Sequence, residues 1–362
     1  MRGHASGLFY YFNEEMLDSA LTQNKIILIF LRIKYIGTGK LTRRYKMFKS
    51  AVVYKMSEDF SVSLEALEKQ LPQFTFSPCS GQDLKKSGWV PALEKSDVLC
   101  YTAKGQILLT ILTEDKILPA SVIKEFLDEK VARIEEMEGK KVKKADKDRL
   151  KDEVIQDLLP RAFSKYNKTF IWIDNEKKNI VVDSGSAKKA EEALALLRKT
   201  LGSLPVTPLT TETPIELTLT AWIKDQEIPE GFSVLDEAEL KAVLEDGGVL
   251  TSKKEDLFSD EIKQHIEAGK MVTKLSIGWR DRLTFTLSDD GLLKKVKLSD
   301  GVIEEGAQNI DKDDEAQKFD GDFILITENL RALLTEMESV FGVLGNDSGE
   351  DGSEKEEESE EE

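Results

Sequence analysis

The chain of 362 residues is 40% hydrophobic and 33% charged, a balance typical of a globular protein with about two or three compact regions. It contains no run of about eighteen apolar residues, so the sequence predicts no membrane-spanning helix. The formal net charge of −17 argues against nucleic-acid binding unless positive groups are gathered on one surface, with acidic groups elsewhere.

The two ends of the chain differ from its middle. Residues 1–46 contribute +5 and residues 346–362 contribute −9, so residues 47–345 carry −13. Residues 344–362 form a low-complexity acidic tail whose composition predicts disorder. Residues 1–46 hold an apolar run of six that is too short to span a bilayer. We expect this segment to be a non-native extension from an upstream start codon; a genuine N-terminal extension is the alternative.

The next region alternates between strand and helix patterns. We expect a strand over Phe48–Met56 and a short helix over Ser63–Leu71. Three further strands are predicted, with a Lys104-Gly105 hairpin turn between the last two: Trp89–Pro91, Val98–Tyr101 and Gln106–Leu112.

A long helix is predicted to open at Leu118-Pro119, because proline is favoured in the first turn. Its apolar face is marked by Val122, Ile123, Phe126, Leu127, Ile134 and Met137. Lysines, arginine and aspartates then interleave over residues 140–152. Two interpretations stay open for this charged stretch: a solvated helical hairpin held by ion pairs, or a surface that faces phosphates.

The residues from Leu150 to Pro205 give the clearest pattern. An apolar stripe ends at Leu159, and Pro160 should stop that helix, leaving a polar turn before the next strand. Thr169–Ile173 and Ile180–Val182 read as a hairpin. A helix over 187–201, capped by Ser184 or Ser186, then turns Ala190, Ala193, Leu194, Leu197 and Leu201 inward and leaves Lys188, Lys189, Arg198 and Lys199 in solvent.

The sequence pattern of the C-terminal part is less regular. We expect Pro214–Ile223 to be a strand running into a helix or loop, and Leu235–Leu240 to begin an acidic helix that ends at Gly247-Gly248. Further helices are predicted over 259–268 and 328–342. The remaining predicted strands are Lys274–Trp279, Arg282–Leu287, Leu292–Leu298 and Asp320–Thr327.

No motif for catalysis, metal binding or a cofactor is visible. The two histidines are His4 and His265, and neither belongs to a recognisable Ser/His/Asp or metal-ligand pattern. Cys79 and Cys100 are too far apart for a CxxC motif and fit a reducing cytoplasm. There is neither a GxxxxGK[ST] loop nor a GxGxxG sequence after a strand. The sequence therefore predicts a protein that is not an enzyme and needs no cofactor.

Several long blocks nevertheless resemble one family. The chain resembles the recombination-associated RdgC proteins in five blocks and in their order. These blocks are LLPRAFSKYNKTFIWID, SAKKAEEALALLRKTLGSLPV, PIELTLTAWI, LDEAELKAVLEDGG and HIEAGKMVTKL. The resemblance begins at Met47 and runs to about Val343. It implies an α+β fold of antiparallel sheets and helices, with an open, horseshoe-shaped subunit that pairs into a ring-shaped homodimer. It also implies a cytoplasmic, nucleoid-associated protein that binds double-stranded DNA without sequence preference and restrains RecA during recombination.

Each basic residue, taken alone, is best interpreted as a solvated side chain. Only the family resemblance makes some of them candidates for binding DNA. Lys188 and Lys199 are eleven residues apart, about three helical turns, so they point roughly the same way. The sequence shows no recognition helix rich in Arg, Asn and Gln, so it does not predict sequence-specific contacts to bases. The candidate DNA-binding residues are Lys188, Lys189, Arg198, Lys199, Lys253, Lys254 and Lys270.

Phe163 has two interpretations. It follows Pro160 in a polar segment, where an exposed phenylalanine would be unfavourable. It either tucks into the core of its own domain or, with Arg161 beside it, packs at a subunit contact that closes the ring. For the whole protein, the alternative to DNA binding is a protein-interaction module that binds a recombination factor directly and has little DNA affinity.

Overall fold

The computed structural model describes residues 47–93, 96–244, 247–307 and 314–342. These residues form twelve strands in two antiparallel sheets, with eight α-helices. The prediction of an α+β fold with antiparallel sheets is confirmed. The expectations for residues 1–46 and for the acidic tail lie outside the described residues.

The larger sheet has seven strands. Its members are β1 (Val52–Met56), β2 (Lys85–Val90), β3 (Cys100–Ala103), β4 (Gln106–Ile117), β5 (Phe163–Asp174), β6 (Asn179–Val182) and β7 (Val206–Pro208). The strand order is β2-β4-β5-β6-β1-β7, and β3 also pairs with β4 through the predicted Lys104-Gly105 turn. The long β4–β5 ladder runs from Ile107 opposite Ile173 to Ile117 opposite Phe163.

Four helices belong to this part of the chain: α1 (Leu64–Gln70), α2 (Ala120–Glu138), α3 (Lys144–Leu158) and α4 (Ala187–Leu201). Helices α1 and α4 cover one face of the sheet, where Leu67 and Leu194 share a core with Leu109 and Ile171. Helices α2 and α3 form a hairpin in which the Nζ of Lys130 lies 3.0 Å from Glu153 and 3.6 Å from Asp157. The ion-paired helical hairpin is thus observed.

The smaller sheet has five strands in the order β12-β11-β10-β8-β9. They are β8 (Phe232–Ala242), β9 (Val249–Lys253), β10 (Lys270–Trp279), β11 (Leu283–Ser288) and β12 (Leu293–Leu298). The accompanying helices are α5 (Ile215–Lys224), α6 (Asp260–Glu267), α7 (Asp300–Ala307) and α8 (Glu315–Phe341).

Helix α8 joins the two sheets. Phe323 and Leu330 lie in one apolar core with Trp172 of the larger sheet and Leu275 of the smaller sheet. The Nε of Arg331 lies 2.6 Å from the buried carboxylate of Asp174, which closes the β5–β6 turn against the helix. The two sheets are therefore held together by a shared core of described residues.

The prediction of an acidic helix over Leu235–Leu240 was wrong, because these residues lie in β8. Ala238 and Leu240 are buried on one face, whereas Glu237 and Glu239 point to the other, which is the period of a strand. Pairing on both sides, with β10 and β9, outweighs the helix preference of Ala and Glu and the low strand propensity of Asp.

The prediction of a strand in Pro214–Ile223 was also wrong, because helix α5 begins directly after Pro214. Ile215, Leu219 and Trp222 recur at helical spacing and are buried. The hydroxyl of Thr220 donates to the carbonyl of Glu216, so the β-branched side chain is satisfied inside the helix.

A third prediction, a strand over Asp320–Thr327, was wrong because α8 is continuous from Glu315 to Phe341. The run Phe323-Ile324-Leu325-Ile326 looks strand-like alone. Phe319, Phe323, Ile326 and Leu330 are nevertheless all buried, at the spacing of one helical face. Asp314 caps the helix by accepting bonds from the N–H groups of Ala316 and Gln317.

Candidate nucleic-acid interface

Helix α4 presents basic side chains on the face opposite its packing face. Ala190, Leu194 and Leu197 are buried against the larger sheet, which leaves Lys188, Lys189, Arg198 and Lys199 exposed, as the sequence predicted. Lys188 and Lys189 lie in the first helical turn, where no acidic residue is present. Cations at a helix N-terminus oppose the helix dipole, so helix stability does not explain these two lysines.

A third lysine joins them from a neighbouring strand. The Nζ of Lys85 on β2 donates a hydrogen bond to Glu192 of α4 and lies 3.8 Å from Asp115. This hydrogen bond, together with the charges of Lys85, Lys188 and Lys189, lowers the pKa of Glu192. We call Lys85, Lys188 and Lys189 the helix cluster; Lys85 is hydrogen-bonded to one carboxylate of α4, and the charges of all three lysines act on it.

Lys85 was not among the residues that the sequence predicted to bind DNA. It lies 107 residues from Glu192 in the chain, and no local pattern marks it. Its position follows from the register of the edge strand β2, where Lys85 lies opposite Asp115 of β4. Only the assembled sheet brings Lys85 to the helix.

The C-terminal end of α4 is arranged differently. The Nζ of Lys199 lies 5.2 Å from the centre of the Phe74 ring, so its ammonium group makes a cation–π contact. Arg198 is exposed on the same turn. Both are in the last turn, where positive charge is favourable to the helix, so stability alone accounts for this end.

The remaining predicted lysines lie on the smaller sheet. Lys253 is the last residue of β9 and pairs across the strands with Glu237 of β8. Lys254 follows it, with a backbone φ of +60° in the left-handed region. Lys270 begins β10 and is half-buried. The structure therefore divides the seven candidates between two places, four on α4 and three on the smaller sheet.

Phe163 does not tuck into the core of its own domain. Its side chain is 83% exposed at the first residue of β5, and its cross-strand neighbour Ile117 is 47% exposed. The polar segment that we expected to be a turn is the first half of β5, because residues 163–168 pair with the outer end of β4. Arg161 is exposed in the 3-10 turn that precedes the strand.

The apolar face of α2 is also incompletely covered. Val131 is its buried residue, whereas Phe126 and Met137 are 46% and 72% exposed. Large exposed apolar side chains grouped in one part of a molecule are typical of interaction surfaces. The β4–β5 end and the α2–α3 hairpin are thus the part of the described chain with the most such side chains.

A buried carboxylate fixes the strand end that carries Phe163. Glu114 accepts hydrogen bonds from the Cys79 N–H at 2.7 Å and the Ser164 hydroxyl at 2.5 Å, and Lys116 lies 3.5 Å away. Burial raises the pKa of Glu114, but these hydrogen bonds and Lys116 outweigh it and lower the pKa overall. Ser164 is thereby held to β4, next to Phe163.

Among the residues described, no three His, Cys, Asp or Glu side chains are grouped as a metal site requires. Within the same ranges, no helix is both long and apolar enough to cross a membrane. His265 lies half-buried on α6.

Comparison with known proteins gives a consistent match. Residues 47–344 match the family model described as "Putative exonuclease, RdgC". The chain is 54% identical over 296 residues to the recombination-associated protein RdgC of Yersinia enterocolitica, which covers 82% of this chain and 97% of the relative. Proteins of the same name from Yersinia pestis and Yersinia pseudotuberculosis are 53% identical over the same shares. These relatives are named for recombination, whereas the family model carries the word exonuclease.

Proposed function

The chain belongs to the RdgC family of recombination-associated proteins, and on that premise we propose that it binds double-stranded DNA without sequence preference and restrains the access of RecA to DNA. The observation that carries the proposal is the helix cluster. Lys188 and Lys189 are exposed in the first turn of α4, and Lys85 is hydrogen-bonded to Glu192 one turn further on, in a chain whose net charge is −17. Such local concentration is what a phosphate-binding surface on an acidic protein requires.

The mechanism is electrostatic. Lysine ammonium groups replace the counterions condensed on DNA phosphates, so binding weakens steeply as salt rises. The phosphate backbone is the same for every sequence, and α4 has a single arginine and neither asparagine nor glutamine, so it is not a helix rich in side chains that read bases. The protein would therefore cover duplex DNA wherever it finds it, in the cytoplasm and on the nucleoid, and compete there with RecA.

We further propose that the horseshoe-shaped subunit works as a ring-shaped homodimer, with Phe163 and Arg161 at a contact between the two copies. A phenylalanine that is 83% exposed beside a half-exposed isoleucine gains from being covered by a partner. A closed ring around DNA would add retention, because an encircled duplex must slide out or wait for the contact to open.

Reversal of charge in the helix cluster tests the DNA-binding proposal. The double variant Lys188→Glu/Lys189→Glu should bind any duplex much more weakly than the unchanged protein. The matched control is Lys147→Glu/Lys151→Glu on α3, which makes the same charge change on exposed side chains of the helical hairpin. If only the control loses affinity, the phosphate-facing surface is the hairpin rather than α4.

The alternative function is a module that binds a recombination factor directly, and the acidic charge of residues 47–345 favours it. Such a module would show little affinity for DNA at any salt concentration. We propose in either case that the protein acts without catalysis. An end-labelled duplex incubated with the protein and Mg²⁺ should keep its length, whereas shortening would identify an exonuclease.

A further inference from the structure

The solvent-facing side of the smaller sheet is rich in lysine. The opposite side carries the buried Leu240, Leu275, Phe285 and Val296, which pack in the core. The solvent-facing side carries Glu237 and Glu239 on β8, and lysines on three of the other strands. These lysines are Lys253 on β9, Lys274 on β10, and Lys294, Lys295 and Lys297 on β12.

A β-bulge in β12 puts its three lysines on one side. Lys294 lies opposite Thr286 and Lys297 opposite Thr284, so two residues, Lys295 and Val296, face the single Phe285. Without the extra residue, strict alternation would send Lys294 and Lys295 to opposite faces. The bulge instead keeps Val296 in the core and adds Lys295 to the exposed face.

The bulge is conformationally unfavourable for a lysine. Lys295 has a φ of +53°, the left-handed region that glycine adopts without steric cost and other residues adopt rarely. Glycine is the usual residue at such a bulge, so the lysine side chain is retained against local preference.

The lysines of different strands converge on Glu237. Lys295 donates a hydrogen bond to its carboxylate, and Lys253 lies directly opposite on β9. This hydrogen bond from Lys295, followed by the charges of Lys295, Lys253 and Lys297, lowers the pKa of Glu237. One carboxylate is therefore hydrogen-bonded to Lys295 and lies in the electrostatic field of two further lysines, and we call Lys253, Lys295 and Lys297 the sheet cluster.

Small hydroxyl side chains lie between β8 and β12. Ser276 on β10 and Thr286 on β11 are hydrogen-bonded at 3.0 Å, and their low profile leaves room for Lys295 to reach across to Glu237. Four strand spacings separate β9 from β12, about 19 Å. The result is a shallow surface with lysines at both edges, and with hydroxyl groups and the Lys274–Glu239 ion pair between them.

We propose that this face of the smaller sheet is a second binding surface for the phosphate groups of duplex DNA, and that Glu237 occupies in the free protein the place that a phosphate takes in the complex. Only Lys253 of this surface was a candidate from the sequence. The proposal rests on the proposed function. A duplex carries about one negative charge per 1.7 Å of its axis, so a surface this wide faces several phosphates at once.

Replacement of Lys295 by glycine tests the surface without endangering the fold. Lys295→Gly removes the ammonium group at a position whose backbone suits glycine, so the variant should unfold at nearly the same temperature as the unchanged protein. Its affinity should fall equally on unrelated duplexes, and the slope of log K against log salt should become shallower by about 1.

A matched control exists at the β3–β4 turn. Lys104 also has a positive φ, of +47°, and is paired with Glu328 at 2.6 Å, so Lys104→Gly makes the same chemical change elsewhere. It should leave the salt slope unchanged. In the opposite direction, Glu237→Gln should tighten DNA binding, because the lysines lose the carboxylate that competes with phosphate.

The outcomes separate this proposal from the proposed function. If the unchanged protein binds duplex DNA but Lys295→Gly and Lys104→Gly both bind as it does, the surface is wrong and the function stands. Equal losses from both variants would also overturn the surface, because they would reflect net charge alone. If the unchanged protein binds no duplex even at low salt, the proposed function fails and this surface fails with it.

Discussion

At the scale of single residues, polar and apolar groups that look misplaced mark the informative positions. Glu114 is a nearly fully buried carboxylate with three polar partners, and Phe163 is a large apolar side chain left in solvent one residue from Ser164. The two features are coupled, because the hydrogen bond from Ser164 to Glu114 fixes the backbone that presents Phe163. A rigid anchor loses less conformational entropy when a partner covers it than a mobile one does.

Replacement of Phe163 by serine should weaken self-association and leave the stability of the subunit unchanged. The side chain is exposed, so its loss removes no core contact. Sedimentation velocity over a range of concentrations would measure the association, and thermal unfolding would report the stability. The control is Leu217→Ser, at another exposed apolar residue, on α5. Association equal to that of the unchanged protein would remove Phe163 from the subunit contact.

Replacement of Glu114 by glutamine should make the protein less stable at neutral pH and less sensitive to acid. The lowered pKa means that the carboxylate stabilises the fold above its ordinary pKa of about 4.3, and that this contribution is lost as pH falls through the lower folded-state value. Glu114→Gln should therefore cost about 1–3 kcal/mol at pH 7 and much less in acid.

Urea unfolding at pH 7 and in acid would measure both effects. Glu65→Gln, at an exposed residue in the first turn of α1, provides the comparison. A cost for Glu114→Gln that stays constant down to low pH would show that the carboxylate charge is not what the buried site uses.

At the scale of elements, periodicity predicted the hairpins and helix 187–201, and failed where packing overrides local preference. Strand β8 reads as an acidic helix until its neighbours β9 and β10 are known. The first half of α8 reads as a strand until Phe319 and Phe323 are placed against Tyr101 of β3. The elements of the smaller sheet therefore depend most on contacts distant in sequence.

The candidate site divides in the same way. Lys188 and Lys189 follow from the helical period alone, because one face of α4 is apolar. Lys85 and Lys295 do not, because the first depends on the register of β2 and the second on a bulge that breaks the alternation of β12. A local sequence pattern carries neither the pairing of distant strands nor the position of a bulge.

The edge of the larger sheet provides a test at this scale. Gly88 of β2 lies under the segment that carries Phe76, where a Cβ atom would come within 2.4 Å of the Phe76 backbone. The Phe76 N–H donates to the carbonyl of Trp89 at 3.0 Å, so this segment cannot move away without losing a bond.

Gly88→Ala should therefore destabilise the protein by about 1–3 kcal/mol, the range found for overpacked sites. Ser87→Ala, at the exposed neighbour, should have little effect. Thermal unfolding of the two variants would measure the difference. Equal midpoints would mean that the crossing segment is free to shift and that the close approach is unimportant to the fold.

At the scale of the whole molecule, charge segregation reconciles an acidic protein with a negatively charged ligand. The helix cluster and the sheet cluster lie on different sheets, and each gathers three lysines around one glutamate. Elsewhere many basic side chains are paired, as Arg331 is with Asp174 and Arg280 with Glu336. Net charge alone is therefore a poor guide to what the surface of this protein binds.

The number of lysines sets an expectation for salt dependence. Each phosphate neutralised on duplex DNA contributes about −0.9 to the slope of log K against log salt. The helix cluster acting alone would give a slope of about −3 per subunit, and both clusters together would give about −5. The slope therefore counts how much of the proposed surface engages the duplex.

Fluorescence anisotropy of the full chain on two duplexes of unrelated sequence, across a series of salt concentrations, tests the central claim most directly. We expect equal affinity for the two duplexes at every concentration, with log K falling linearly in log salt at a slope between about −3 and −5 for each bound subunit. No binding at low salt, or an affinity that depends on sequence and hardly on salt, would contradict non-specific phosphate binding and favour direct contact with a recombination factor.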